Sequence, residues 1–133
     1  HILTGSINRD PASVLEEGLA IYIVRRMGGV EKQIDCEAAG YKKRGELIPL
    51  RELFEVEIGT QRSKPGISYP ESGSLVKYLV KRWGMQKFQE LYAAVHRAQS
   101  IDEKDRKVRE TYGRTIDEIE QEWLESFGNG DPA

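Results

Sequence analysis

Between Val14 and Met27 apolar residues fall almost everywhere on a helical wheel: Val14, Leu15, Leu19, Ala20, Ile21, Tyr22, Ile23, Val24 and Met27. At about 100° per residue they leave little of the circumference polar. A helix that is apolar all round is a buried helix. Asp10-Pro11 predicts its start, because Asp can cap and Pro suits the first helical position. Arg25, Arg26 and the pair Gly28-Gly29 predict its end. Two carboxylates interrupt the pattern. Glu17 falls between Ile21 and Val24, and Glu16 between Ile23 and Met27. At least one should be drawn inward, where a carboxylate needs a pairing cation, a proton or a metal. Gly18 lies mid-helix, where it costs about 1 kcal/mol relative to Ala, so a packing reason is expected.

The rest of the chain reads as ordinary amphipathic helices. The polar stretch from Val30 to about Arg44 is helical, with Gly40 as a possible break. Pro49 opens a short helix within Glu46 to Phe54. Gly59 to Tyr69 has no periodicity and predicts a loop, and a loop of that length is often functional. Pro70 then starts a helix whose stripe is Leu75, Val76, Leu79, Val80 and Trp83, closed by Gly84. Another spans Met85 to about Ala98, with Met85, Phe88, Leu91, Tyr92 and Val95 inward. Ser100-Ile101-Asp102-Glu103 and Thr115-Ile116-Asp117-Glu118 are capping boxes, each opening a helix. The last helix carries Ile116, Ile119, Trp123, Leu124 and Phe127. No stretch predicts a strand. The expected fold is all-α with about six or seven helices, one domain over residues 1–128 and a loose tail over 129–133.

Composition narrows the function classes. A chain of 133 residues has room for one domain with a proper core. With 38% hydrophobic and 32% charged residues it is tilted toward exposed helices. A net charge of -2 argues against a nucleic-acid platform. No apolar run reaches the roughly 20 residues a membrane-spanning helix needs. The single cysteine, Cys36, cannot form an internal disulfide, and it lies between Asp35 and Glu37, a poor setting for a nucleophile. The sequence opens at His1 rather than at a methionine, which suggests a processed, truncated or subcloned piece.

Leu15-Glu16-Glu17-Gly18-Leu19-Ala20 resembles the L-x-E-G-[LF]-A signature of gluzincin zinc metallopeptidases of the aminopeptidase-like and peptidase MA-like group. The similarity continues in order along the chain. Leu50-Arg51-Glu52-Leu53, then Tyr69 to Leu79 with Trp83-Gly84, then Tyr112-Gly113 through Trp123 each look like successive family segments. The resemblance implies zinc as cofactor and a peptide or protein as substrate. It implies that Glu17 is the third zinc ligand, and that Tyr69 faces the site as a donor to the oxyanion. The remaining ligands belong to an HExxH helix, and this chain contains no complete HExxH. His1, followed by Ile2-Leu3-Thr4, matches the second histidine of that motif, at a spacing to Glu17 somewhat shorter than usual. The first histidine and the general-base glutamate would then precede His1, and the piece by itself would be inactive. An approaching HExxH helix would give Gly18 its packing reason. Family members are often exported or membrane-tethered.

The chemistry fits these residue types. A catalytic zinc takes three protein ligands and leaves one position for water. A carboxylate base and an oxyanion donor complete the reaction. Plainer roles stand beside each assignment. Glu17 could be a helix carboxylate paired with a cation, His1 a tag residue, and Tyr69 a side chain packed ahead of a helix. His96 reads as a surface or core-edge residue, and Lys42-Lys43-Arg44 and Asp102 to Glu110 as solvated faces. A non-enzymatic helical module, binding protein or peptide in the same cleft, is the alternative. Self-association through an uncovered apolar face is a further expectation.

Overall fold

The computed structural model describes residues 10–58, 60 and 64–128. They form seven helices: α1 (Ser13–Met27), α2 (Glu31–Lys43), α3 (Leu50–Leu53), α4 (Pro65–Trp83), α5 (Met85–Ala94), α6 (Ile101–Tyr112) and α7 (Ile116–Gly128). No strand occurs among the described residues, and the all-α expectation holds.

The central element is α4, not α1. Every residue from Pro70 to Val76 is buried, and α1, α2 and α5 pack around the helix. Its start corrects the expected loop: the helix begins at Pro65, and Pro70 lies inside it. Pro65 supplies the ordinary proline start. Pro70 lacks the N–H that would bond the Gly66 carbonyl four residues back. The Tyr41 hydroxyl from α2 donates to that carbonyl instead, at 2.9 Å. A tertiary donor thus lets the helix run through a residue that reads as a start signal.

The α1–α4 crossing depends on two glycines. A Cβ on Gly18 would stand 2.5 Å from the Ser72 carbonyl oxygen and 2.6 Å from Val76 Cγ2. A Cβ on Gly73 would stand 2.6 Å from Ile21 Cγ2. Gly18 therefore has the packing reason its position demanded, and its partner is α4 rather than a preceding helix. The expectation of an all-round buried α1 is not met. Val14, Leu15, Gly18 and Tyr22 are buried, whereas Ile23, Val24 and Met27 are 41%, 67% and 82% exposed. One face of α1 meets α4 and the opposite apolar face meets solvent.

Other boundaries were set by tertiary pairing. The helix expected from Asp10 begins at Ser13, because Pro11 forms an antiparallel bridge with His96. The Ala12 N–H donates to the Val95 carbonyl, and the Arg97 N–H to the Asp10 carbonyl. The same bridge ends α5 at Ala94, short of the expected Ala98, with Val95 extended. Gly40 does not break α2. Both capping sequences cap their helices, and the second closes reciprocally. Ser100 Oγ accepts the Glu103 N–H. Thr115 and Glu118 exchange side-chain bonds with each other's backbone N–H. Trp123, Phe88 and Leu91 fill the core, each contributing about 2–3 kcal/mol by burial.

Candidate functional site

The two carboxylates of α1 have different fates. Both are half-buried. Glu16 is engaged by Arg97, whose Nη2 lies 2.6 Å from Glu16 Oε1. Arg97 also pairs with Glu57, lies 3.5 Å from Asp10 Oδ1, and donates from Nε to the Pro11 carbonyl at 2.9 Å. This one guanidinium ties the entry of α1 to the strip before α4 and to the α5–α6 connection. Glu17, by contrast, makes no hydrogen bond or ion pair among the described residues. Its charge and that of Glu16 reach Tyr92, whose phenol is pushed up by burial first and then by these two carboxylates.

Tyr69 is inside α4, half-buried and packed against the core, rather than ahead of a helix. It stands one turn before Ser72 and two before Val76, the residues that meet Gly18, so the spacing puts it on the α1-facing stripe. His1 lies outside the described residues. Among those described, no three His, Cys, Asp or Glu side chains converge as a metal-holding group. Glu17 suits a ligand's place, being a half-buried carboxylate with its oxygens uncommitted. Of the two expected ligands, only Glu17 falls among the described residues. His96 is half-buried and its backbone N–H donates to Gln99 Oε1. Cys36 is exposed on α2.

Sequence reasoning missed the carboxylate that is truly interior. Glu71 on α4 is fully buried. Its Oε1 accepts the Ile48 N–H at 2.9 Å, and its Oε2 has no partner. Burial, and then the charges of Glu120 and Glu52, push the carboxyl up to about 8, with the Ile48 bond opposing. Ser68, one turn before it, and Ser72, the next residue, have buried hydroxyls that are likewise unpartnered. A signal was available, since Glu71 precedes Leu75 by four residues and Leu79 by eight, on the apolar stripe. Placing the helix start at Pro70 made it look like an ordinary first-turn acid. Arg97 carried no such signal, because its partners lie 40 to 87 residues away in sequence.

A cleft of about 710 Å³ opens beside this region, lined by Ile48, Glu52, Glu55, Val56, Glu57, Thr60 and Lys64. Its wall, the strip from Glu46 to Ile58, is pinned from four helices. Glu71 holds Ile48 and Glu120 Oε2 accepts the Leu50 N–H at 3.0 Å. Lys104, buried on α6 with its ammonium pKa pushed down by that burial, donates to the Phe54 carbonyl at 2.9 Å. Ser13 Oγ on α1 accepts the Ile58 N–H at 3.0 Å.

A second polar cluster joins α2, α4 and α7. Asp35 accepts from Ser74 Oγ at 2.8 Å and pairs with Lys77, and Trp123 Nε1 donates to the same Ser74. Nearby, Trp83 is flanked by the guanidiniums of Arg82 and Arg114, both bound to Glu122. Those two bonds hold the Glu122 carboxyl below its usual range, Arg114 foremost. These groups satisfy one another and join α2, α4 and α7. Comparisons with protein-family models, with curated proteins and with solved structures found no match for this chain.

Proposed function

We propose that this chain is the helical C-terminal part of a gluzincin-like zinc metallopeptidase and contributes the third metal ligand, Glu17. The observation that carries the reading is the contrast between neighbours on α1: Glu16 is committed to Arg97, and Glu17 is half-buried and uncommitted among the described residues. A carboxylate is seldom left so beside an apolar helix face without a pairing cation, a proton or a metal. Gly18 supports the same reading from the other side. It seats α1 directly on α4 and so fixes the backbone from which Glu17 projects.

In this scheme Glu17 and His1 hold the metal, together with a histidine ahead of His1. A bound zinc would acidify its water and polarise the scissile carbonyl. The chain's own part is to fix Glu17 through the α1–α4 crossing and to present the Tyr69 hydroxyl as a donor to the developing oxyanion. The substrate would be a peptide or protein lying along the cleft, and the parent protein would be the active species. The other reading is a non-enzymatic helical module that uses the cleft to bind peptide.

Metal content separates the two. The chain extended upstream of His1 should hold about one zinc per molecule by elemental analysis, and Glu17→Ala should lose it while Glu16→Ala keeps it. An extended protein that binds no zinc, or in which Glu17→Ala binds it as well as the unaltered chain, would sink the metallopeptidase reading. It would leave the binding module.

A further inference from the structure

The buried Glu71 carboxyl has no role in the scheme proposed above. It sits on α4 where that helix meets the strip from Glu46 to Ile58, the wall of the cleft. One oxygen accepts the Ile48 N–H and the other, fully shielded, accepts and donates nothing. The charged groups acting on it are Glu120 from α7 and Glu52 from α3, both of its own sign. Glu120 holds the next alternate N–H of the same strip, that of Leu50. Two carboxyl groups from two helices therefore hold two N–H groups of one wall segment, two residues apart, and among the described residues no cation balances the inner one.

We propose that Glu71 and the Ile48 N–H form a proton-dependent latch on the cleft wall. With the proton on, Glu71 is neutral, tolerates its dry surroundings and keeps Ile48 docked on α4. With the proton off, a charged carboxylate with one unpartnered oxygen faces two other carboxylates. It is relieved by swinging toward water, which frees Ile48 and lets the strip carrying Glu52, Glu55 and Glu57 move away from α4. Lys104 and Ser13 hold the far end of the strip, so the motion belongs to the Ile48 end.

The sign of the pH dependence follows from linkage. The docked group titrates near 8 and the freed group near 4.5. The docked state is therefore most favoured below the lower value, loses ground as pH rises between the two, and levels off above the upper. Across that window the docked-to-open ratio should fall by up to about tenfold per pH unit.

Amide hydrogen exchange on the full chain, corrected for intrinsic exchange, tests this. The Ile48 amide should lose protection between pH 5 and 8, whereas the Leu79 amide at the other end of α4 keeps its own. In Glu71→Gln, which retains the acceptor without the charge, Ile48 protection should be flat with pH. In Glu120→Gln, which removes one like charge, the decline should level off at lower pH. A pH-independent Ile48 amide in the unaltered chain overturns the latch. So does a loss shared equally by Leu79, which would mark global unfolding. An undiminished slope in Glu71→Gln overturns it too. If that variant fails to fold, the Glu120→Gln plateau decides: an unshifted plateau overturns the latch.

Discussion

Missing Cβ atoms at Gly18 and Gly73 decide how closely α1 meets α4. At Gly18 a methyl group would collide with the Ser72 carbonyl oxygen, and a helix carbonyl cannot turn aside as a side chain tip can. Helix propensity alone favours Gly18→Ala by about 1 kcal/mol. Overpacking a tight crossing typically costs 1–3 kcal/mol and occasionally more, so the clash wins. Gly18→Ala is expected to destabilise the fold by about 2 kcal/mol in chemical denaturation. Gly66→Ala, in the first turn of α4 with nothing within 4 Å, is expected to be neutral or to gain up to about 1 kcal/mol. Equal effects at the two glycines would show that the crossing is not the cause. Glu17 and Glu16 make the same point about residues: adjacent and chemically alike, they differ only in whether Arg97 reaches them.

Helix α4 keeps its first turns because another helix serves them. Pro70 orphans the Gly66 carbonyl and Tyr41 supplies the donor. The bond is exposed, so Tyr41→Phe should cost about 0.5–1 kcal/mol. In a Pro70→Ala background the restored N–H serves Gly66, and Tyr41→Phe should then cost almost nothing. A double-mutant cycle in urea measures that coupling, and independent effects would disprove the exchange of donors. The capping boxes behave differently. Ser100 and Thr115 cap their helices through residues three positions away, so their positions were predictable, and Asp105 of α6 adds an acceptor for the Ile116 N–H at the start of α7.

Across the whole molecule, α1 carries a second apolar face that nothing described covers. Ala20, Ile23, Val24 and Met27 follow the i, i+3, i+4, i+7 spacing and are all exposed. Such a stripe favours association. Sedimentation velocity should show concentration-dependent self-association, abolished by Val24→Glu with helicity unchanged. A chain that stays monomeric at the highest reachable concentration would remove this face as an association site. The C-terminal end of α4 is closed by the Trp83 cluster, where Arg82, Arg114 and Glu122 join α4 to α7.

Local signals in the sequence determined a good deal. Hydrophobic spacing, prolines and capping boxes settled an all-α chain, the extent of α2, the short α3 behind Pro49, and the starts of α6 and α7. The inward residues Phe88, Leu91, Ile119 and Trp123 were equally legible, because a stripe records burial directly. Glu17 is proposed as a metal ligand from its motif and from the awkwardness of a carboxylate on an apolar helix. Tertiary structure alone decided the rest. It set the start of α4 through Tyr41, the start of α1 and the end of α5 through the Pro11–His96 bridge, the commitment of Glu16 to Arg97, and the burial of Glu71 behind Ile48. Each of these rests on a hydrogen bond or charge pair between residues far apart in the chain. A helical period reports which face of a segment is apolar, but not which distant donor, acceptor or charge will meet it.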